Sequence, residues 1–324
     1  MTMRRRLGCA MAVGLIMNFL LQPWCDGVTG AESLAGSPSI ERSEIRKSPA
    51  ISDPRPQNEV LQPKPAREKS AEPTPSMQPT AKVAVSKPGS PGDVWTEPIT
   101  GMKMAWVPDG CYSMGCGGWT GDCYADESPV HEVCVDGFWM GMHEVTQGEW
   151  RKLMGSNPSK YKKNDRYPVA NISWDDTREF IRKLNSESKE DHGFRLPTEA
   201  EWEYACRSGG KDEKSSGGSN VDSVAWYSGN STISPHAVGA RSPNGLGIHD
   251  MSGNAWEWVE DVYGINAYAE HQLNNPISNG PGAHRVYRGG SWYFDAKYAR
   301  CGFRYHAPPG TRSVDLGFRL VRVR

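Results

Sequence analysis

The stretch Asp250-Met251-Ser252-Gly253-Asn254-Ala255-Trp256-Glu257-Trp258 packs more chemistry into fewer positions than any other part of the chain. Its two tryptophans lie two residues apart, so they cannot share one helical face. Asp250 and Glu257 offer carboxylates to a hard cation, with backbone carbonyls filling the other ligand positions. The alternative reading is a helix start. Ser252 or Asn254 then caps it, Glu257 complements the helix dipole, and the tryptophans fill core.

Three further stretches join this one in fixed order: Arg195-Leu196-Pro197-Thr198-Glu199-Ala200-Glu201-Trp202-Glu203-Tyr204-Ala205 before it, then Arg288-Gly289-Gly290-Ser291-Trp292 and Leu316-Gly317-Phe318-Arg319 after it. Together the four resemble the signatures of the formylglycine-generating enzyme family, also called sulfatase-modifying factors, over roughly residues 96 to 324. The resemblance implies a compact α+β domain of C-type-lectin-like fold with little regular secondary structure.

Around this core the chain divides into three expected parts. Residues 1–31 read as a secretory signal: Arg4 to Arg6, a short apolar run from Leu7 to Leu21, and small residues at Thr29-Gly30-Ala31. The apolar run is short for a bilayer crossing, so no stable membrane insertion is expected after cleavage. Residues 32–93 are rich in Pro, Ser, Lys and Glu with almost no aromatics, the composition of a tether that cannot bury enough surface to order itself. Residues 94–324 form the folded domain, expected as a monomer in the periplasm or secreted. The formal net charge of -1 gives no electrostatic case for nucleic acid.

Within the domain, Met104 to Val107 reads as a strand followed by a Pro108-Asp109-Gly110 turn. Tyr112-Ser113-Met114 and Val133-Cys134-Val135 read as paired strands flanking an acidic loop. Thr146 and Glu149 make a capping box that opens a helix through Met154, and Thr198 and Glu201 make another that runs to about Cys206. Ser173 caps a helix whose Trp174, Thr177, Phe180, Ile181 and Leu184 share one face. From Ser208 to Gly239 only Val224 to Tyr227 is apolar, and beyond Arg285 short apolar runs alternate with turn residues.

Six cysteines remain after the signal, an even number in an export-bound chain, which favours disulfides. If the two strands pair, Cys111 to Cys134 crosses between them and Cys116 to Cys123 closes the acidic loop. A zinc site built from these four is the alternative. The family resemblance implies a further bond between Cys206 and a C-terminal cysteine, here Cys301, a few positions early.

The family enzyme oxidises a sulfatase cysteine to formylglycine with copper and oxygen, using two reactive cysteines just beyond the Gly-Gly-Ser motif. Here Phe294 and Ala299 stand at those positions, and neither binds copper(I). The thiol oxidase activity is therefore expected to be absent, and no catalytic residue is assigned. Ser291 and Trp256 match positions lining the family's pocket, with Phe294 and Arg304 beside them as candidates. Other family branches imply alternatives: modification of a protein cysteine or a siderophore-type molecule, or iron-dependent sulfur transfer. The last needs an additional helical domain that the tether is too polar to form. His131, His143, His192, His236, His249, His271, His284 and His306 show no paired helical spacing for iron.

The resemblance also implies one structural calcium, held by Asp250, the carbonyls of Gly253 and Ala255, and Glu257. Finally, Tyr293, Phe294, Asp295, Tyr298, Phe303, Tyr305 and His306 are interleaved with framework-like residues, a composition suited to recognition. This segment resembles the variable proteins of diversity-generating retroelements. The expected function is binding of a peptide, protein or small-molecule ligand.

Overall fold

The computed structural model describes residues 90–121, 123–188 and 193–323. The expected signal at 1–31, nearly all of the expected tether at 32–93, and His192 lie outside the described residues. Gly92 already donates to the carbonyl of Trp106 at 2.9 Å, just ahead of the first strand.

A five-stranded sheet runs in the order β1 (Val94–Thr96), β2 (Lys103–Val107), β5 (Phe138–Gly141), β11 (Val321–Arg322), β6 (Phe194–Arg195). The C-terminal strand thus lies between two strands from the first half of the domain, antiparallel to both. The hairpin β3 (Gly110–Met114) and β4 (His131–Val135) stands apart, with Cys111 opposite Cys134. Both local disulfides form as the strand pairing suggested, so the four thiols of the zinc alternative are all taken.

Both expected capping boxes appear, and the Ser173 cap forms a third with Asp176. Thr146 opens α1 (Gln147–Met154), Ser173 opens α2 (Trp174–Glu187), and Thr198 opens α3 (Glu199–Cys206). Each side-chain oxygen accepts from the N3 amide while the N3 carboxylate accepts from the cap amide, which satisfies two otherwise unpaired donors. The predicted face of α2 is buried at Thr177, Phe180, Ile181 and Leu184. Phe180 stacks on Trp150 of α1 with ring centroids 5.2 Å apart, and Phe318 meets both edge-on. Two short helices complete the set, α4 (Val221–Val224) and α5 (Ala267–Glu270).

The helix-start reading of residues 252–258 is overturned. Trp256 to Val262 is a strand, β7, the centre of a sheet ordered β10 (Leu316–Phe318), β7, β8 (Arg285–Arg288), β9 (Arg304–Ala307). β10 pairs with β7 in parallel, Leu316 against Trp256. The Leu-Gly-Phe-Arg motif therefore belongs beside the Trp-Glu-Trp motif. Gly317 lets β10 lie close to the Val169 backbone, because a Cβ there would strike the carbonyl of Val169. Ala255 precedes the strand, and Gly253 lies against the Trp226 backbone at φ 77°, where a side chain has no room.

α3 is buried along its whole length, acidic residues included. Glu199 binds Arg304 and Arg288, while Glu203 binds Arg288 and Arg207, all with fully buried side chains. Burial pushes the Glu199 carboxyl up, but Arg304 and Arg288 outweigh it and hold the group below its ordinary range. These pairs fix the helix against β8 and β9. The Cys206–Cys301 bond joins its last residue to the C-terminal segment.

Candidate functional site

β7, β8 and β9 carry an aromatic surface. Alternation along the strands points successive side chains to opposite faces. On one face, the Trp256 ring meets Tyr287, Phe294, Phe303 and Tyr305 at centroid distances of 5.3 to 6.0 Å. Phe294 continues to Tyr298 at 5.5 Å, and Tyr298 to Phe303 at 5.0 Å. Phe294, Tyr298 and Tyr305 are half-buried, Phe303 lies beneath them, and Tyr293 is 49% exposed. Asp295 sits at the rim, where its carboxylate accepts from the Ser228 hydroxyl at 3.2 Å.

Ser291 lies below this surface. Its hydroxyl donates to Asp315 at 2.6 Å, and the other Asp315 oxygen accepts from Ser313. Burial raises the Asp315 carboxyl, while the two hydroxyl donors pull the other way.

Two candidates face elsewhere. Arg304 points into the α3 ion-pair network and donates to both Glu199 oxygens at 2.6 and 2.8 Å. It supports the sheet from behind and does not reach the aromatic surface. His306, on that same opposite side of β9, stacks on Tyr263 at 3.6 Å and contacts His284 Nδ1 at 2.8 Å. Ala299 is buried against Val224 and Ala225. All six cysteines among the described residues are paired, including Cys301.

The residues expected to hold a cation divide between two roles. Both Glu257 oxygens accept from Arg319 at 2.6 Å, and Oε2 also accepts from Trp202 Nε1 at 2.6 Å. Asp250 uses Oδ2 for the Gly239 amide at 2.6 Å, while its buried Oδ1 has no partner among the described residues. Glu144 repeats the pattern. Its Oε1 accepts from Asn254 and from the Ala255 amide at 3.0 and 3.2 Å, and its buried Oε2 has no partner among the described residues. Burial is the first cause raising Glu144 well above the carboxylate range, followed by the charges of Asp250 and Glu257; Asp250 is raised to about 6, again chiefly by burial. Sequence reasoning missed Glu144. Its only local signal is its place two residues before the Thr146 cap.

Two sizeable cavities lie away from the aromatic surface. One open cleft of about 640 Å³ is lined by residues between Val262 and Pro281, and one of about 650 Å³ lies between Trp106, Phe138, Arg195 and Glu260.

A lectin-like α+β domain with short strands, capped helices and three disulfides is the fold that these elements define. Residues 91–324 match the sulfatase-modifying factor enzyme 1-like domain, and the chain belongs to that family. The formylglycine-generating enzyme of Streptomyces coelicolor is 34% identical over 194 residues, which is 55% of this chain and 59% of the relative. Among solved structures, PvdO from Pseudomonas aeruginosa superposes with a TM-score of 0.64 at 25% identity, covering 73% of this chain and all (100%) of PvdO. Treponema denticola variable protein 1 gives a TM-score of 0.59 at 28% identity, covering 71% of this chain and 98% of that protein. The chain spans only 38% of the length of a further relative, described as serine/threonine-protein kinase Pkn1 of Chlamydia trachomatis.

Proposed function

We propose that this is an exported member of the family that binds a peptide or small ligand and lacks the copper and thiol oxidase chemistry. The observation that carries the reading is the aromatic surface built on Trp256, where Phe294 stands at one family cysteine position and packs on that ring. Cys301, the cysteine nearest that surface in sequence, is joined to Cys206. Half-buried Phe294, Tyr298 and Tyr305 beside exposed Tyr293 and Asp295 supply apolar area with polar handles, which suits recognition. The disulfides are compatible with an extracellular or luminal location. The deciding assay incubates purified protein with copper, oxygen and a sulfatase peptide. No aldehyde is expected, and aldehyde formation overturns the reading.

The likeness to Treponema denticola variable protein 1 favours a second reading, in which the segment from Tyr293 to Asp315 is retroelement-diversified. The coding DNA tests it. A nearby reverse-transcriptase gene and a near-copy of this segment carrying Asn codons are expected, and their absence removes the reading.

A single structural calcium would be held in this chain at Asp250 and Glu144, each of which has a buried carboxylate oxygen without a hydrogen-bond partner among the described residues. Glu257 fits less well as a ligand, because Arg319 and Trp202 already occupy it. Calcium there would tie the loop between β5 and α1 to the loop before β7. Chelation is expected to lower the melting temperature, and Asp250→Asn to remove that sensitivity. A chelator-insensitive melt of folded protein removes the site.

A further inference from the structure

We propose that Ser278, His271 and His131 form a second site, a serine relay that hydrolyses small carboxylic esters with an apolar acyl group. It is independent of the aromatic surface: His271 and Ser278 lie in the segment that follows β7, and His131 opens β4.

The direction of every proton in the relay follows from one carbonyl. His131 Nδ1 lies 3.0 Å from the Pro129 oxygen, which can only accept. The neutral ring therefore carries its proton on Nδ1 and offers a lone pair at Nε2. His271 Nδ1 lies 3.0 Å from that Nε2 and must be the donor. This leaves a lone pair on His271 Nε2, 3.3 Å from the Ser278 hydroxyl, which then donates its own proton. Nucleophile, base and orienting group thus stand in the order that acyl-transfer sites require, with a contact length common before substrate binds.

The serine is held in place. Its amide donates to Asp261 at 2.9 Å, and its carbonyl accepts from Val262 at 2.7 Å, both at the end of β7. The His271, His131 and Tyr268 rings pack on one another as a triangle, with centroids 5.1 to 5.3 Å apart. Ser278 and His271 both line the cavity of about 640 Å³, and His131 lies behind them. Ile265 and Ile277 line it too and are exposed, giving the apolar rim that selects the acyl group. The side-chain amides of Asn266, Gln272 and Asn279 are the donors available to an oxyanion. Burial lowers His271 to about 4, so the ring is neutral at physiological pH.

In the reaction, the Ser278 oxygen bonds to the ester carbonyl carbon as its proton passes to His271 Nε2. The carbon–alkoxide bond breaks, and the alcohol leaves with that proton. Water then attacks the acyl-serine, giving a proton to His271. The carboxylic acid departs and the serine hydroxyl is restored. His131 is a positioning residue: it accepts from His271 Nδ1 throughout and stabilises the imidazolium.

The test treats the full chain with a fluorophosphonate and maps adducts by mass spectrometry, alongside turnover of p-nitrophenyl butyrate. Ser278 is expected to carry the adduct, and labelling to abolish turnover. Ser278→Ala is expected to lose both with an unchanged melt, and His271→Gln to lower kcat by roughly 10²–10⁴-fold. His131→Phe is expected to lower kcat with KM unchanged. Folded wild-type protein with no adduct on Ser278, or turnover that survives Ser278→Ala, overturns the proposal.

Discussion

Removing one carboxylate from a buried ion pair leaves an arginine without a countercharge. Glu257 holds Arg319 with both side chains fully buried, so Glu257→Gln is expected to cost about 3–5 kcal/mol in urea-unfolding free energy. A loss below about 1 kcal/mol would mean that water or a rearranged partner takes over. His271 gives a pH signature. Burial lowers it from 6.5 to about 4, so between those values the unfolded chain binds a proton that the folded chain does not. Its stabilising contribution is complete above pH 6.5 and is lost as pH falls toward 4. The stability of wild type relative to His271→Gln should therefore decline across that window. A difference flat with pH would place His271 in contact with solvent. Individual residues were unevenly legible. Asp250 stood out beside Glu257, yet nothing near Glu257 in sequence announced Arg319. Glu144 had only its place two residues before the Thr146 cap, because a carboxylate becomes informative only when its surroundings deny it water.

Helix starts were the most legible elements. Each capping box is closed within four residues, so local sequence suffices to specify it. Ser173→Ala is expected to cost about 1 kcal/mol with an unchanged denaturant slope, read from chemical unfolding of the wild-type and substituted proteins side by side. A changed slope would show that the cap shapes more than α2. Strand β7 shows the opposite case. Trp256, Glu257 and Trp258 are all buried, so the apolar–acidic alternation there does not separate a core face from a solvent face. Its partners are β10, parallel and far along the chain, and β8. A strand covered on both faces reads as a continuous run that periodicity alone does not distinguish from a buried helix segment. The candidate recognition residues were read as one set. β9 divides them, because Tyr305 and His306 leave the strand in opposite directions.

At the level of the whole molecule, Cys206–Cys301 closes a span of 95 residues across the end of α3 and the C-terminal segment. Replacing both with Ser is expected to lower stability by about 3–5 kcal/mol, measured under conditions that leave the other two bonds intact. A smaller loss would indicate that the α3 ion pairs keep the unfolded chain compact without the bond. By itself the sequence determined the family, the hairpin with its two local disulfides and the three capped helices. These are features of residue identity and short-range spacing. Only the tertiary structure decided that Glu257 belongs to Arg319, 62 positions away, while Asp250 and Glu144 keep oxygens without a partner among the described residues. It alone brought Ser278, His271 and His131 into line, the two histidines being 140 positions apart. A buried polar group is defined by what reaches it through space, and sequence order does not encode that.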